Sequence, residues 1–173
     1  MKIYPKSLAI DALALLNTFP TGSTDANQLR ALLGRLSPLS SDKELIRMGP
    51  RGDGGYLVPN DLAGIEALFS PGVNQVSGFE LACANLGMKV FLADKSVDRP
   101  PDSHPLFHFT KKFVGVTTDD GFMTMDDWVA DSLPGTTSDL LLQIDIEGFE
   151  YETFLGMSDR LMRRFRVIVA EFH

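Results

Sequence analysis

Four short apolar runs, each closed by a glycine or an acid, constrain the fold of this 173-residue chain more than any other feature. Ile65 to Phe69 opens into Ser70-Pro71-Gly72, and Met88 to Ala93 ends on Asp94. Leu140 to Ile144 ends on Asp145, and Arg166 to Ala170 ends on Glu171-Phe172-His173. Apolar runs of this length, bounded in this way, read as strands buried on both faces, the pattern of a parallel sheet covered by helices. The intervening segments supply those helices. Phe79 to Leu86 is helical with Gly87 as its stop, and helices run through Glu150 to Phe165. Thr124-Met125-Asp126-Asp127 has capping-box character ahead of Trp128, starting a helix that stops near Pro134-Gly135. A less cleanly patterned strand is expected within Phe107 to Val116. The alternation predicts an α/β fold, a mostly parallel sheet with helices on both faces.

Residues 1–40 read as a helical extension of a domain spanning 41–173. Leu8, Ala12, Leu15 and Leu16 recur at helical spacing, and Leu29, Leu32, Leu33 and Leu36 repeat the pattern. Pro20-Thr21-Gly22-Ser23 breaks the chain between them, leaving Thr24 or Asp25 as N-cap of the second helix. Beyond Pro38 a mixed segment leads to the loop Gly49 to Tyr56, where Gly52, Gly54 and Gly55 leave room for close approach by another group.

Hydrophobic residues make up 44% of the chain and charged residues 23%, so a packed core is expected. The 16 basic against 23 acidic residues give a net charge of −7, which disfavours nucleic acid as a partner because phosphate binding rests on Lys and Arg. Asp11 interrupts the apolar stretch Leu8 to Leu16 and no small-residue cleavage site follows it. No run reaches the roughly 18 apolar residues of a membrane span. The expectation is therefore a soluble, cytoplasmic protein with no membrane partner. The single cysteine, Cys83, precludes an intrachain disulfide and a Cys-rich zinc site. Set among Leu81, Ala82 and Ala84, it reads as a buried structural thiol.

In an open α/β sheet, ligands bind beyond the carboxyl ends of the strands where strand order reverses. That rule selects Gly72, Asp94, Asp145, Glu171 and His173. Gly72 and Asp94 lie 22 residues apart, close to the roughly 20 that separate a glycine loop from the acid holding an adenosine ribose. A carboxylate suits that task because it accepts hydrogen bonds from two vicinal hydroxyls. Between Gly72 and Gly78 the second and third glycines of a dinucleotide fingerprint are missing. A nucleoside without a pyrophosphate fits better, S-adenosylmethionine foremost, with an NAD-dependent oxidoreductase as the alternative.

Several segments together resemble the signature of FkbM-like methyltransferases. They are Leu140 to Gly156, which contains Asp-Ile-Glu-Gly-Phe-Glu, and Arg166 to His173, preceded by Asp53-Gly-Gly-Tyr-Leu57, Ser70-Pro-Gly-Val73, Phe79-Glu80 and Leu92-Ala-Asp-Lys-Ser-Val97. The resemblance covers about Gly49 to His173. It implies a Rossmann-like class I methyltransferase fold that uses S-adenosylmethionine, usually for O-methylation of a hydroxyl on a sugar or small metabolite. By the same resemblance Ser70, Gly72 and Val73 match the glycine loop against the methionine part of the cofactor. Asp94 matches the ribose-binding acid, and Asp145 the acid facing the methionyl and reacting end. The family's loop is richer in glycine and begins with an acid, where this chain has Ser70-Pro71. The family also continues past the fifth strand, so the chain reads as truncated after it.

A hydroxyl acceptor must lose its proton during methyl transfer, and His173 or Asp145 is the expected catalytic base, with Glu147 and Glu171 nearby. Glu147 and Glu150 read equally well as favourable charges at a helix N-terminus. Asp145, Glu147, Glu171 and His173 are also donors that Mg²⁺ or Mn²⁺ accepts, but spacing alone does not make them converge, and no metal is assigned. His104 and His108, in or beside a Pro-rich loop, read as surface residues. Asp53 and Tyr56 stand open between a cofactor contact and a plain turn. A non-catalytic binding or assembly module is a further alternative. The acceptor, a small molecule or carbohydrate, and the oligomeric state are not legible.

Overall fold

The computed structural model describes residues 24–73 and 75–173. The chain divides after Ser40 into two units. In the first, helix α1 (Ala26–Arg35) begins at Asp25, whose carboxylate accepts the N–H groups of Asn27 and Gln28 at 2.9 Å each. Two orphan amides are satisfied in this way, so Asp25 and not Thr24 is the cap. The helix expected around Leu8 to Leu16 lies outside the described residues.

The second unit runs β1 (Leu45–Met48), β2 (Tyr56–Pro59), β3 (Ala67–Pro71), α2 (Gly78–Asn85), β4 (Lys89–Ala93), β5 (Phe107–Thr110), β6 (Phe113–Gly115), β7 (Phe122–Thr124), α3 (Met125–Ser132), β8 (Leu140–Ile144), α4 (Glu150–Gly156), α5 (Asp159–Met162) and β9 (Phe165–Ala170). Five strands form one sheet in the order β5-β4-β3-β8-β9, every neighbouring pair parallel. This is the mixed α/β architecture of a Rossmann-like domain.

Strand periodicity of two sorts the core into two layers. Ala67, Phe69, Phe91, Ala93, Leu140, Leu142 and Ile144 face one way, onto Trp128 and Val129 of α3 and Leu161 of α5. Leu68, Val90, Leu92 and Leu141 face the other, onto Phe79, Cys83 and Ala84 of α2. Helices thus cover both faces. Phe69 anchors the first layer, stacked on Phe91 at 4.8 Å and meeting Trp128 edge-on at 5.0 Å. On β9, Phe165 pairs with Leu140 but Val167 with Leu141, so Arg166 is the extra residue of a bulge. The bulge puts Phe165 and Val167, two residues apart, on opposite faces. Arg166 is held there by Asp139 and by the Ala63 carbonyl at 2.8 Å.

Two expectations are corrected, and a third segment gains structure that its sequence did not announce. The strand expected over Ile65 to Phe69 runs instead over Ala67–Pro71. Ile65 closes a turn on Leu62, and the apolar run continues in register until Ser70 and Pro71 sit opposite Leu92 and Ala93. Pro71, lacking an N–H, is tolerated as the terminal strand residue. The segment Phe107 to Val116 holds two strands, because the chain leaves the main sheet at Lys111-Lys112 and β6 pairs with β7 in a separate two-stranded ladder. The mixed segment and glycine loop before Pro59 form an antiparallel hairpin, β1 with β2. Its strands are only four residues long and half exposed, too short for a clean alternation.

Candidate functional site

From β3 the chain moves outward to β4 and β5, then returns to place β8 on the other side of β3. The order reverses between β3 and β8, so their carboxyl ends, Gly72 and Asp145, flank the crevice where such sheets take ligands. Gly72 has φ +91°, a conformation that suits glycine. It packs directly against the Asp145 backbone.

Two chambers meet at this pair. The larger, about 310 Å³, has Asp94, Asp145 and Glu147 on its wall together with Val114, Phe113, Phe122, Ile146 and Phe149. The smaller, about 170 Å³, is bordered by Asp53, Tyr56, Glu80, Gln143 and Asp145. Asp94 and Asp145 therefore share one cavity. Among the described residues that line either chamber there are five acids and no Lys or Arg. Neither chamber therefore presents a Lys or Arg side chain to an anionic ligand.

Asp94 is held from three directions. Its Oδ2 accepts the Val73 N–H at 3.0 Å, and its Oδ1 accepts the N–H and hydroxyl of Ser96 at 2.7 and 2.6 Å. Val73 thus serves through its backbone, its side chain buried in the core. Ser70 differs from expectation. As a residue of β3 and not of the loop, it is fully buried and forms no part of either chamber wall. Its hydroxyl is shared between Glu80 Oε1 and Gln143 Oε1, both at 2.7 Å.

His173 lines neither chamber but contacts two acids that do: its Nε2 lies 3.0 Å from Asp145 Oδ1, while Nδ1 lies 3.8 Å from Glu147 Oε2. The Asp145 hydrogen bond, reinforced by the charge of Glu147, holds the imidazole above its usual pKa. Glu147 takes the left-handed φ of +55°. Behind this turn Glu150 is wholly buried, accepting the N–H groups of Ile146 at 2.9 Å and Gly148 at 3.1 Å. Burial pushes its carboxyl upward, but these amides and the backbone N–H of His173 outweigh it and keep the pKa below the ordinary glutamate range. Glu150 therefore fixes the turn that presents Glu147, and it does not face the crevice.

Residues 68–173 match the methyltransferase FkbM domain. The chain belongs to the FkbM methyltransferase family. No curated protein and no solved structure matches it. Within this FkbM domain the matched segment begins inside β3 and takes in Gly72, Asp94, Asp145 and His173, while Asp53 and Tyr56 lie upstream on the β1–β2 hairpin.

The FkbM domain also has wall residues that sequence reasoning passed over. Gln143 and Glu80 read as strand and helix interior, and only their partners reveal them as the polar floor of the smaller chamber. Phe113, Phe122 and Phe149 come from three separate segments, so no local pattern announces the apolar wall they build. Asp145, Glu147 and His173 bring ligand-type atoms within 4.8 Å of one another, and Glu171 is not one of that group. Since each ring nitrogen of His173 faces a different carboxylate, the cluster as it stands is a histidine between two acids. Neither His104 nor His108 lines the crevice; His108 stacks on Phe91. Cys83 is buried, its thiol pushed up to about 12 by desolvation, which makes it inert. Among the described residues no helix is long and apolar enough to cross a membrane.

Proposed function

We propose that this domain is an S-adenosylmethionine-dependent O-methyltransferase acting on a hydroxyl of a small molecule or sugar. The observation that carries the reading is the crevice at the strand reversal, with five acids and no Lys or Arg among its described lining residues and without the second and third glycines that bring a pyrophosphate close to the backbone, which suits a sulfonium nucleoside better than NAD. The larger chamber fits the adenosine: Asp94 stands where two ribose hydroxyls can donate to it, and Val114, Phe113 and Ile146 offer an apolar bed for a purine. The smaller, polar chamber fits the amino-acid end.

When bound, the donor supplies a methyl group on a cationic sulfur, which the acceptor oxygen displaces in line to leave a neutral thioether. The protein's own part is alignment and proton acceptance. Gly72, lacking a side chain, lets the β3 and β8 ends close on each other and so sets the position of Asp145. His173, whose Nε2 lies 3.0 Å from Asp145 Oδ1, is the group to take the acceptor's proton, and the resulting imidazolium is stabilised by Asp145 and Glu147.

A thermal-shift titration decides between donors. S-adenosylhomocysteine at 100 times its dissociation constant should stabilise the chain by about 2.7 kcal/mol, and NAD should not. A shift with NAD alone, or with neither, removes the reading.

A further inference from the structure

Beneath the smaller chamber runs a line of four side chains that methyl transfer itself does not use: Glu80, Ser70, Gln143 and Tyr56. Ser70 Oγ lies 2.7 Å from Glu80 Oε1 and 2.7 Å from Gln143 Oε1. Both neighbours are oxygens, and a serine hydroxyl has one proton to give. With Glu80 ionised, one of the two contacts would set lone pairs against each other at hydrogen-bond distance, in the interior where such a conflict is costly. A neutral Glu80 removes the conflict. Its O–H donates to Ser70 Oγ, Ser70 donates to Gln143 Oε1, and Gln143 Nε2 donates to Tyr56 Oη at 3.4 Å. Every bond then runs the same way, and Tyr56 keeps its own O–H.

Glu80 is only 7% exposed, and burial raises its carboxyl above the usual range. Tyr56 stands on the chamber wall, its ring edge-on to Phe79 at 5.6 Å. Around it the chamber is acidic, with Asp53 and Asp145 suited to an ammonium group. A zwitterionic amino-acid end also brings a carboxylate, and the phenol is a neutral donor able to meet it.

We propose that Glu80 is a positioning residue held as the neutral acid, which through Ser70 and Gln143 leaves the Tyr56 hydroxyl free to donate to the carboxylate of the bound donor's amino-acid end. The ligand's identity in this proposal rests on the function proposed above.

Two measurements on the full chain test it. Infrared difference spectra of the ligand-free protein at neutral pH, wild type minus Glu80→Gln, should show the carbonyl stretch of a protonated carboxylic acid. Its absence would mean that Gln143 is turned over and Tyr56 spends its proton on it, which overturns the proposal. Calorimetric titration should then compare S-adenosylhomocysteine with 5′-methylthioadenosine, which lacks the amino-acid end. Tyr56→Phe should weaken the first about tenfold, the loss of one hydrogen bond to a charged group, and leave the second unchanged. Glu80→Ala should reproduce that pattern and Glu80→Gln should restore most of the affinity. Equal losses for both ligands would overturn the role of Tyr56. Should the wild type bind neither nucleoside, the methyl-donor reading fails and takes the ligand half of the proposal with it. The infrared band would still decide the state of Glu80.

Discussion

A Cβ built on Gly72 would lie 1.8 Å from the carbonyl oxygen of Asp145. The two strand ends that form the crevice are therefore in backbone contact, and residue 72 has room for a hydrogen only. Gly72→Ala combines this overlap with an unfavourable positive φ and should cost about 2 kcal/mol or more. In a domain of this size that lowers the melting temperature by roughly 4 °C or more. Because the strain falls on Asp145, binding of S-adenosylhomocysteine should weaken as well. Unchanged melting and unchanged affinity would contradict the tight junction.

His173 and Asp145 predict a pH profile. The Asp145 bond raises the histidine pKa, so the basic form needed for proton acceptance accumulates only above the free-imidazole value of about 6.5. The rate should climb through a limb lying on the alkaline side of that value. Asp145→Asn should move the limb toward acid, and His173→Ala should lower turnover about a hundredfold or more. In stability the sign is opposite: the contribution of a raised histidine is complete below the unfolded pKa and is lost as pH rises through the folded one. Turnover independent of residue 173 would end its role.

Glu150 makes a separate prediction. Its pKa is depressed in the folded protein, so its contribution is present above the unfolded value of about 4.3 and fades as pH falls through the folded one. Glu150→Gln sets an amide donor among the N–H groups of Ile146 and Gly148 and should cost about 1–3 kcal/mol at neutral pH. Melting curves of both proteins recorded against pH should converge in acid. Parallel curves would show that the carboxylate does not hold the turn.

Asp94→Asn removes charge from the proposed ribose acid and leaves an amide facing the Val73 N–H or the Ser96 hydroxyl. Affinity for 5′-methylthioadenosine should fall roughly tenfold to a hundredfold, the worth of one or two hydrogen bonds to a charged acceptor. Full retention, measured calorimetrically, would take the nucleoside out of the larger chamber.

The apolar runs at Met88 to Ala93 and Leu140 to Ile144 sufficed to announce buried parallel strands, because burial on both faces removes polar residues from consecutive positions. The acids at 94 and 145 were legible for the same reason: a charge directly after such a run must lie at a strand end, where water or ligand is. The spacing of Gly72 and Asp94 is the sequence feature on which the proposed nucleoside rests. What tertiary structure alone decided is which groups oppose one another. Extending β3 by two residues moved Ser70 from the loop into the interior, a matter of ladder register that no single strand specifies. The chain Glu80–Ser70–Gln143–Tyr56 joins four elements, and the absence of Lys and Arg among the described residues of the crevice walls is a property of residues far apart in sequence. Local composition sets how much of a segment is buried; partners across 73 or 87 residues are chosen by the packing of the whole domain.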